Sequence, residues 1–131
     1  MVLEIGLIAD CQYQDLEPRK SRHFRASLGK LKDCVDALNQ EDLAFTVQVG
    51  DLIDHSWKSY DDVLPILETL KQPLYHVLGN HDFGIKDEYK EKVLERLGIK
   101  AKYYDFVQDG WRFVALDGND LSYYAYPNPR H

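Results

Sequence analysis

Apolar positions along the chain gather in three short unbroken runs, and between those runs they recur at helical spacing. Residues 2–9 (V-L-E-I-G-L-I-A), 43–49 (L-A-F-T-V-Q-V) and 73–78 (P-L-Y-H-V-L) are too short for amphipathic helices and predict buried strands. Phe24, Leu28, Leu31, Val35 and Leu38 follow a 3.6-residue period, which predicts a helix from Ser21, as N-cap, to Asn39. A second helix is expected over 59–71, with Val63, Ile66, Leu67 and Leu70 on one face, Pro65 tolerated early in it and Pro73 stopping it. A third covers about 87–97 and is closed by Gly98. Segments 102–107 and 111–116, joined by Q-D-G, predict a β-hairpin. From Asp117 onward no period persists, and the chain reads as a long loop.

Strand–helix alternation of this kind predicts an α/β layered fold with parallel strands, and no repeat or flexible linker divides the chain. In such sheets ligands gather at the carboxyl ends of the strands. Here three strand ends carry polar residues: Asp10 and Gln12, then Gly50-Asp51, then Gly79-Asn80-His81.

Composition narrows the function classes. A length of 131 residues suits one domain with a modest core. Net charge is −6, which argues against a general nucleic-acid binder. No apolar stretch is long enough to span a membrane, and the N-terminus lacks the basic start of a signal peptide. Cys11 and Cys34 show no C-x-x-C spacing, which fits a reducing compartment, and a cytoplasmic location is the expectation. Charge is nonetheless uneven: Arg19, Lys20, Arg22, Arg25, Lys30 and Lys32 stand together without an acidic residue among them. That run reads either as a solvated helix face or as a basic edge facing an anionic substrate.

Taken singly, Asp51 fits a helix N-cap, Asn80 a turn with positive φ, Asp10 a loop cap and Gln12 a surface residue. Their recurrence at three successive strand ends has a single common explanation, a site for cations. Asp10, Gln12, Asp51 and Asn80 offer oxygen donors, which suit Mn²⁺ or Mg²⁺ better than zinc. Two cations bridged by a carboxylate can clamp a phosphoryl group and lower the pKa of water. An adjacent histidine, His81, can protonate a leaving oxygen. By strand alternation Cys11 should point away from the metals and pack. His23, His55 and His76 read as solvated or core-satisfied residues in preference to cleft lining. Tyr123, Tyr124 and Tyr126 read as loop packing, with stacking on a nucleobase as the alternative.

The longer words G-D-L-I-D at 50–54 and G-N-H-D at 79–82 resemble the calcineurin-like metallophosphoesterase superfamily, whose pattern is Asp-x-His, Gly-Asp-x-x-(Asp/Glu/His), then Gly-Asn-His-(Asp/Glu). The stretch G-L-I-A-D-C-Q-Y-Q-D-L-E, with Asp-x-Gln in place of Asp-x-His, is similar to the branch of Mn²⁺-dependent ADP-ribose/CDP-alcohol diphosphatases. R-x-F-R-x-S-L at 22–28 and Y-H-V-L-G-N-H-D-F at 75–83 extend that likeness along the chain. The resemblance implies a nucleoside-diphosphate-cleaving enzyme with two divalent metal ions, Mn²⁺ first, with Mg²⁺, Fe or Zn²⁺ as alternatives. Asp10 and Gln12 would bind one metal, Asp51 would bridge, Asn80 would bind the second and His81 would act on the leaving group. Asp82 would hold His81 in orientation, and Asp54 would support a neighbouring site residue. Arg22 and Arg25, near the start of the first helix, are expected to contact phosphate.

Family members run to about twice this length, and their later half supplies a Gly-His-x-His motif that this chain lacks. Residues 1–131 are therefore expected to be the N-terminal half of a four-layer α/β/β/α sandwich, leaving an apolar sheet face for the missing half or a complementary chain. By itself the chain is expected to be inactive. Cyclic-nucleotide phosphodiesterase or phosphomonoesterase activity, and an inactive half-domain serving as a binding module, remain as alternatives. The substrate expected is a phosphorylated, nucleotide-like small molecule, with neither nucleic acid nor membrane as partner.

Overall fold

The computed structural model describes residues 2–125. Three short strands, β1 (Ile5–Ile8), β2 (Phe45–Gln48) and β3 (Leu74–His76), form a parallel sheet in the order β1-β2-β3. Their crossovers are α1 (Ala26–Leu38) and α2 (Ser59–Leu67). This is the α/β arrangement the periodicity predicts. Register pairs Gly6 with Thr46 and Ile8 with Gln48, and Thr46 and Gln48 in turn with Leu74 and His76, so these six share one face. Against that face pack the apolar stripes of the helices, including Leu31, Val35, Val63 and Leu67. Gly6 lets α1 close on the sheet, because a Cβ there would lie 2.6 Å from Thr46 Oγ1 and 3.2 Å from Leu38 Cδ2.

The opposite face carries Phe45 and Tyr75. It is covered by an antiparallel hairpin, β3's successors β4 (Tyr104–Gln108) and β5 (Trp111–Ala115). Phe106 stacks on Tyr75 at 3.7 Å, and Phe45 meets Phe106 and Phe113 edge-on at about 5 Å. The hairpin turn takes positive φ at Asp109 and Gly110, as a two-residue primed turn requires. Coverage is incomplete: Leu7 on β1 is 64% exposed, and Val107, Trp111, Val114 and Leu116 of the hairpin region stay in solvent. An open apolar sheet face was the expectation.

Three helix expectations need correction. Ser21 does not cap α1. Residues 19–22 instead close a tight turn through reciprocal Arg19 and Arg22 backbone bonds, with Lys20 at positive φ, and the helix begins only at Ala26. Pro65 lies well inside α2; its missing N–H falls on the solvent side shared with exposed Asp61, where water can serve the carbonyl. The third helix is two, α3 (Asp87–Lys90) and α4 (Val93–Leu97), parted where Lys92 N bonds back to Tyr89 O in a tightened turn. Gly98 ends α4 in the left-handed conformation, as expected. Among the described residues no helix is long and apolar enough to cross a membrane.

Candidate active site

Beyond β1 and β2 the two chains continue side by side out of regular register. Asp10 N bonds to Gly50 O, Gln12 N to Asp51 O, Tyr13 N to Leu52 O and Asp54 N to Tyr13 O. Following this path costs backbone strain, since Asp10, Gln12, Asp51 and His55 all adopt positive φ. For non-glycine residues such conformations cost on the order of 1–3 kcal/mol each and gather at functional sites.

That strain aims three predicted ligands at one point. Asp10 Oδ1 and Asp51 Oδ2 lie 3.4 and 3.5 Å from Gln12 Nε2. Gln12 Oε1 accepts from Arg22 at 2.8 Å. The donor end of the amide thus stands between two carboxylates, where a cation would meet both. Which end of an amide faces which partner follows from its hydrogen-bond network, so cation binding can turn it over. Asp51 Oδ1 accepts from His81 N at 2.8 Å, and a Cβ on Gly79 would lie 2.2 Å from that oxygen. Glycine at 79 is what allows the Asp51 carboxylate to lie along the end of β3. Neither a helix N-cap position nor a positive-φ turn accounts for these residues: the helix after Asp51 begins only at Ser59, and Asn80 has φ −72° and an exposed side chain. The two carboxylates and the Gln12 amide therefore fit a divalent cation; Asn80, exposed, follows Gly79 beyond β3.

Behind this rim of predicted ligands lies a buried floor. Asp54, 1% exposed, places Oδ1 2.6 Å from His81 Nδ1. A carboxylate only accepts, so Nδ1 carries the proton in this pair and Nε2 is left for other chemistry. Arg22 reaches the same carboxylate at 3.5 Å, joining Gln12 to Asp54. Asp82 does not orient His81, contrary to expectation. Its Oδ2 accepts from Asp51 N and Gly79 N, and its Oδ1 from Leu52 N and the Tyr60 hydroxyl. Burial pushes the Asp82 carboxyl up to about 6, against those N–H groups that pull it down. Asp82 ties the two motif loops together, and Asp54 is the residue that braces His81.

Other expectations divide. Arg25 turns away from the site and pairs with Asp15 and Glu17. Cys11 points toward α1, with Sγ 3.9 Å from Ser27 O, and its thiol is pushed up to about 11 by burial, which suits packing. His76 is buried against Gln48 Oε1, and burial lowers it to about 4. His55 is exposed, as the solvated reading expects, and is also held at the site: its Nδ1 faces Gly84 O at 2.9 Å and its Nε2 lies 3.3 Å from Asp54 Oδ1. Asp54, His55 and His81 form the group of charged and imidazole side chains whose ligand atoms all lie within 4.8 Å of one another. Asp117 and Asn119 also went unnoticed in the sequence. Asn119 Nδ2 donates to Asp117 Oδ1 and to Leu78 O, pinning the loop after β5 to the end of β3. Only the spacing of D-x-N after an apolar strand could have signalled it. Tyr126 lies outside the described residues.

Comparison with known proteins agrees with this geometry. A diphosphatase from Arabidopsis thaliana, named manganese-dependent ADP-ribose/CDP-alcohol diphosphatase, is 31% identical across 96% of this chain and 45% of its own length. The Danio rerio protein of the same name is 35% identical across 92% of this chain and 46% of its own. The chain thus spans less than half the length of the curated relatives it matches. A crystallographic dimetal phosphatase from Danio rerio superposes with a TM-score of 0.81 at 29% identity, over 99% of this chain and 48% of that one. The calcineurin-like phosphoesterase family model matches residues 3–129, and with the strand-end carboxylates arranged as described, the chain belongs to that family.

Proposed function

We propose that this chain carries the cation-binding and proton-donating part of a phosphohydrolase site for a nucleoside-diphosphate linkage of the ADP-ribose or CDP-alcohol kind. The observation that carries this reading is the convergence of Asp10, Gln12 and Asp51 beside a His81 braced by Asp54. The names of its relatives support the linkage and the choice of Mn²⁺ over Mg²⁺, Fe or Zn²⁺. Asp10 and Gln12 would hold one cation, Asn80 a second, and Asp51 both. Such cations, when bound, activate water and neutralise phosphoryl oxygens.

The protein's own groups have separable tasks. His81 is held through its Nδ1 proton on Asp54, and in its doubly protonated form it would donate from Nε2 to the departing oxygen. His81 N fixes the direction of the Asp51 carboxylate. Arg22 steadies Gln12 and Asp54 at once, and its half-exposed guanidinium has donors to spare for a phosphate. We read the chain as the N-terminal part of a single domain, since it spans under half of its relatives and leaves Leu7 and Trp111 in solvent. A second half, or a complementary chain, would cover that face and complete the ligand set.

Hydrolysis of ADP-ribose, CDP-choline and cyclic AMP in the presence of Mn²⁺, by this chain together with the half that completes its ligand set, tests the reading. Turnover of either diphosphate above that of cyclic AMP is expected. Cleavage of cyclic AMP with no diphosphate turnover would overturn the linkage. His81→Ala should lower turnover by about 10²- to 10⁴-fold, the range of a general acid, with bound Mn²⁺ by elemental analysis unchanged. Loss of the metal instead would make His81 a ligand.

A further inference from the structure

The loop after β5 does more than pin itself to β3. Asn119 anchors its start at Leu78 O, and four and five residues further on the loop has delivered two tyrosines to the edge of the site. The Tyr124 ring lies 6.2 Å from His81, tilted by only 19°, and 6.4 Å from His55. His55 and His81 are themselves 5.7 Å apart, and Tyr123 meets Tyr124 edge-on at 6.0 Å. The rings of His55, Tyr123 and Tyr124 border a cleft of about 410 Å³, lined also by Ile85, Lys86, Asp87 and Lys90. Its volume falls within the roughly 300–1,000 Å³ typical of small-molecule sites. Tyr124 is 40% exposed, so its ring is not consumed by the core.

Resting on the phosphohydrolase reading, we propose that Tyr124, flanked by Tyr123 and His55, is the base-recognition wall of the site: the planar base of a nucleotide substrate stacks on its ring in the cleft beside His81. Three features support the assignment. A flat π-surface recognises any base by stacking, which suits a site whose relatives are named for both an adenine and a cytosine nucleotide. Lys86 offers a cation along the same cleft, where Lys90 is buried and paired with Asp87. The Tyr124 ring lies 6.2 Å from His81, so a base stacked there would stand next to the group assigned to the leaving oxygen. Tyr124 here is a specificity residue; it carries no proton in the reaction.

Equilibrium binding of AMP and of ribose 5-phosphate to the chain, with Mn²⁺ present and followed by ligand-observed NMR, separates base from phosphate. AMP should bind about 5- to 100-fold more tightly than ribose 5-phosphate, the range one base–aromatic stack supplies. CMP should share that advantage. Tyr124→Ala should abolish it while leaving ribose 5-phosphate binding unchanged, and Tyr124→Phe, which keeps the ring, should retain it. Equal binding of AMP and ribose 5-phosphate, absence of binding by both, or an AMP preference that survives Tyr124→Ala would overturn the base wall. Those outcomes leave the phosphohydrolase reading to its own test, since Mn²⁺-dependent diphosphate hydrolysis does not depend on which ring recognises the base. Unchanged Mn²⁺ binding in Tyr124→Ala would confirm that the variant is folded at the site.

Discussion

Two aspartates beyond the ends of apolar parallel strands meet opposite fates. Asp82 is wholly buried and receives Asp51 N, Leu52 N and Gly79 N at about 3 Å, together with the Tyr60 hydroxyl. Asp10 is exposed, at positive φ, and its carboxylate touches only Gln12 Nε2 at 3.4 Å among the hydrogen bonds described. The first is a finished structural joint. The second is held ready, with strain in its backbone and acceptor capacity unspent. The difference teaches that a motif read along the chain contains both a floor and a rim, and that counting the N–H groups aimed at each carboxylate tells them apart.

Removing the floor is the largest way to break this contrast. Asp82→Ala strands the Asp51, Leu52 and Gly79 N–H groups, buried or half-buried, together with the buried Tyr60 hydroxyl. Its expected cost is about 3–5 kcal/mol, the range for removing one partner from a buried charged network. Asp82→Asn keeps one acceptor oxygen and should lose about 1–3 kcal/mol. Asp10→Ala removes an exposed carboxylate and should stay within about 0.5 kcal/mol of the parent. Urea unfolding of the three variants compares them directly. Similar losses for Asp82→Ala and Asp10→Ala would erase the distinction between floor and rim.

A pH series sharpens the same contrast by a second buried polar group. His76 lies under the sheet against Gln48, and burial lowers it to about 4 from an ordinary 6.5. Between those values the unfolded chain binds the proton and the folded one does not, so stability rises with pH through this window. The contribution is complete above about 6.5 and is lost as pH falls toward 4. It amounts to at most about 3 kcal/mol, from 1.36 kcal/mol per pKa unit. His76→Gln should remove this rise between pH 4 and 6.5 and leave the opposite slope of Asp82, whose raised carboxyl loses stability as pH climbs through the same window, measured by thermal melts across that range. A profile of unchanged slope would mean that His76 charges without opening the fold.

How much of this could be read from the residues depends on the range of the interaction involved. The three strands, Gly98 and the Asp109-Gly110 turn were legible because periodicity and positive-φ chemistry act within a few residues. The start of α1 was not, because the 19–22 turn serves a contact between Arg22 and Gln12 that no local propensity encodes. Arg25 looked equivalent to Arg22 in the sequence, yet Asp15 and Glu17 claim it. The motif G-N-H-D announced His81 and Asp82 together but could not say which carboxylate braces the imidazole. That answer, Asp54, comes from β2's side of the site and needs the sheet to bring it near. Asp117 and Asn119 show the same limit, since their partner at Leu78 is about forty residues earlier in the chain.

The smallest effect is also the most discriminating for the rim. Asp10→Gly relieves a positive-φ conformation, worth about 1 kcal/mol at the low end for such positions. Glycine also adds freedom to the unfolded chain, which costs about 0.4–1 kcal/mol. The two nearly cancel, so stability should be unchanged or rise by at most about 0.5 kcal/mol. Mn²⁺ affinity, followed by electron paramagnetic resonance of the free ion, should nonetheless fall at least tenfold, because one of two convergent carboxylates is gone. A protein that keeps its fold while losing its cation shows that strain at Asp10 serves binding. If Asp10→Gly instead lowers stability by more than about 1 kcal/mol, the rim carries structural weight like the floor, and the strained backbone there needs another reason.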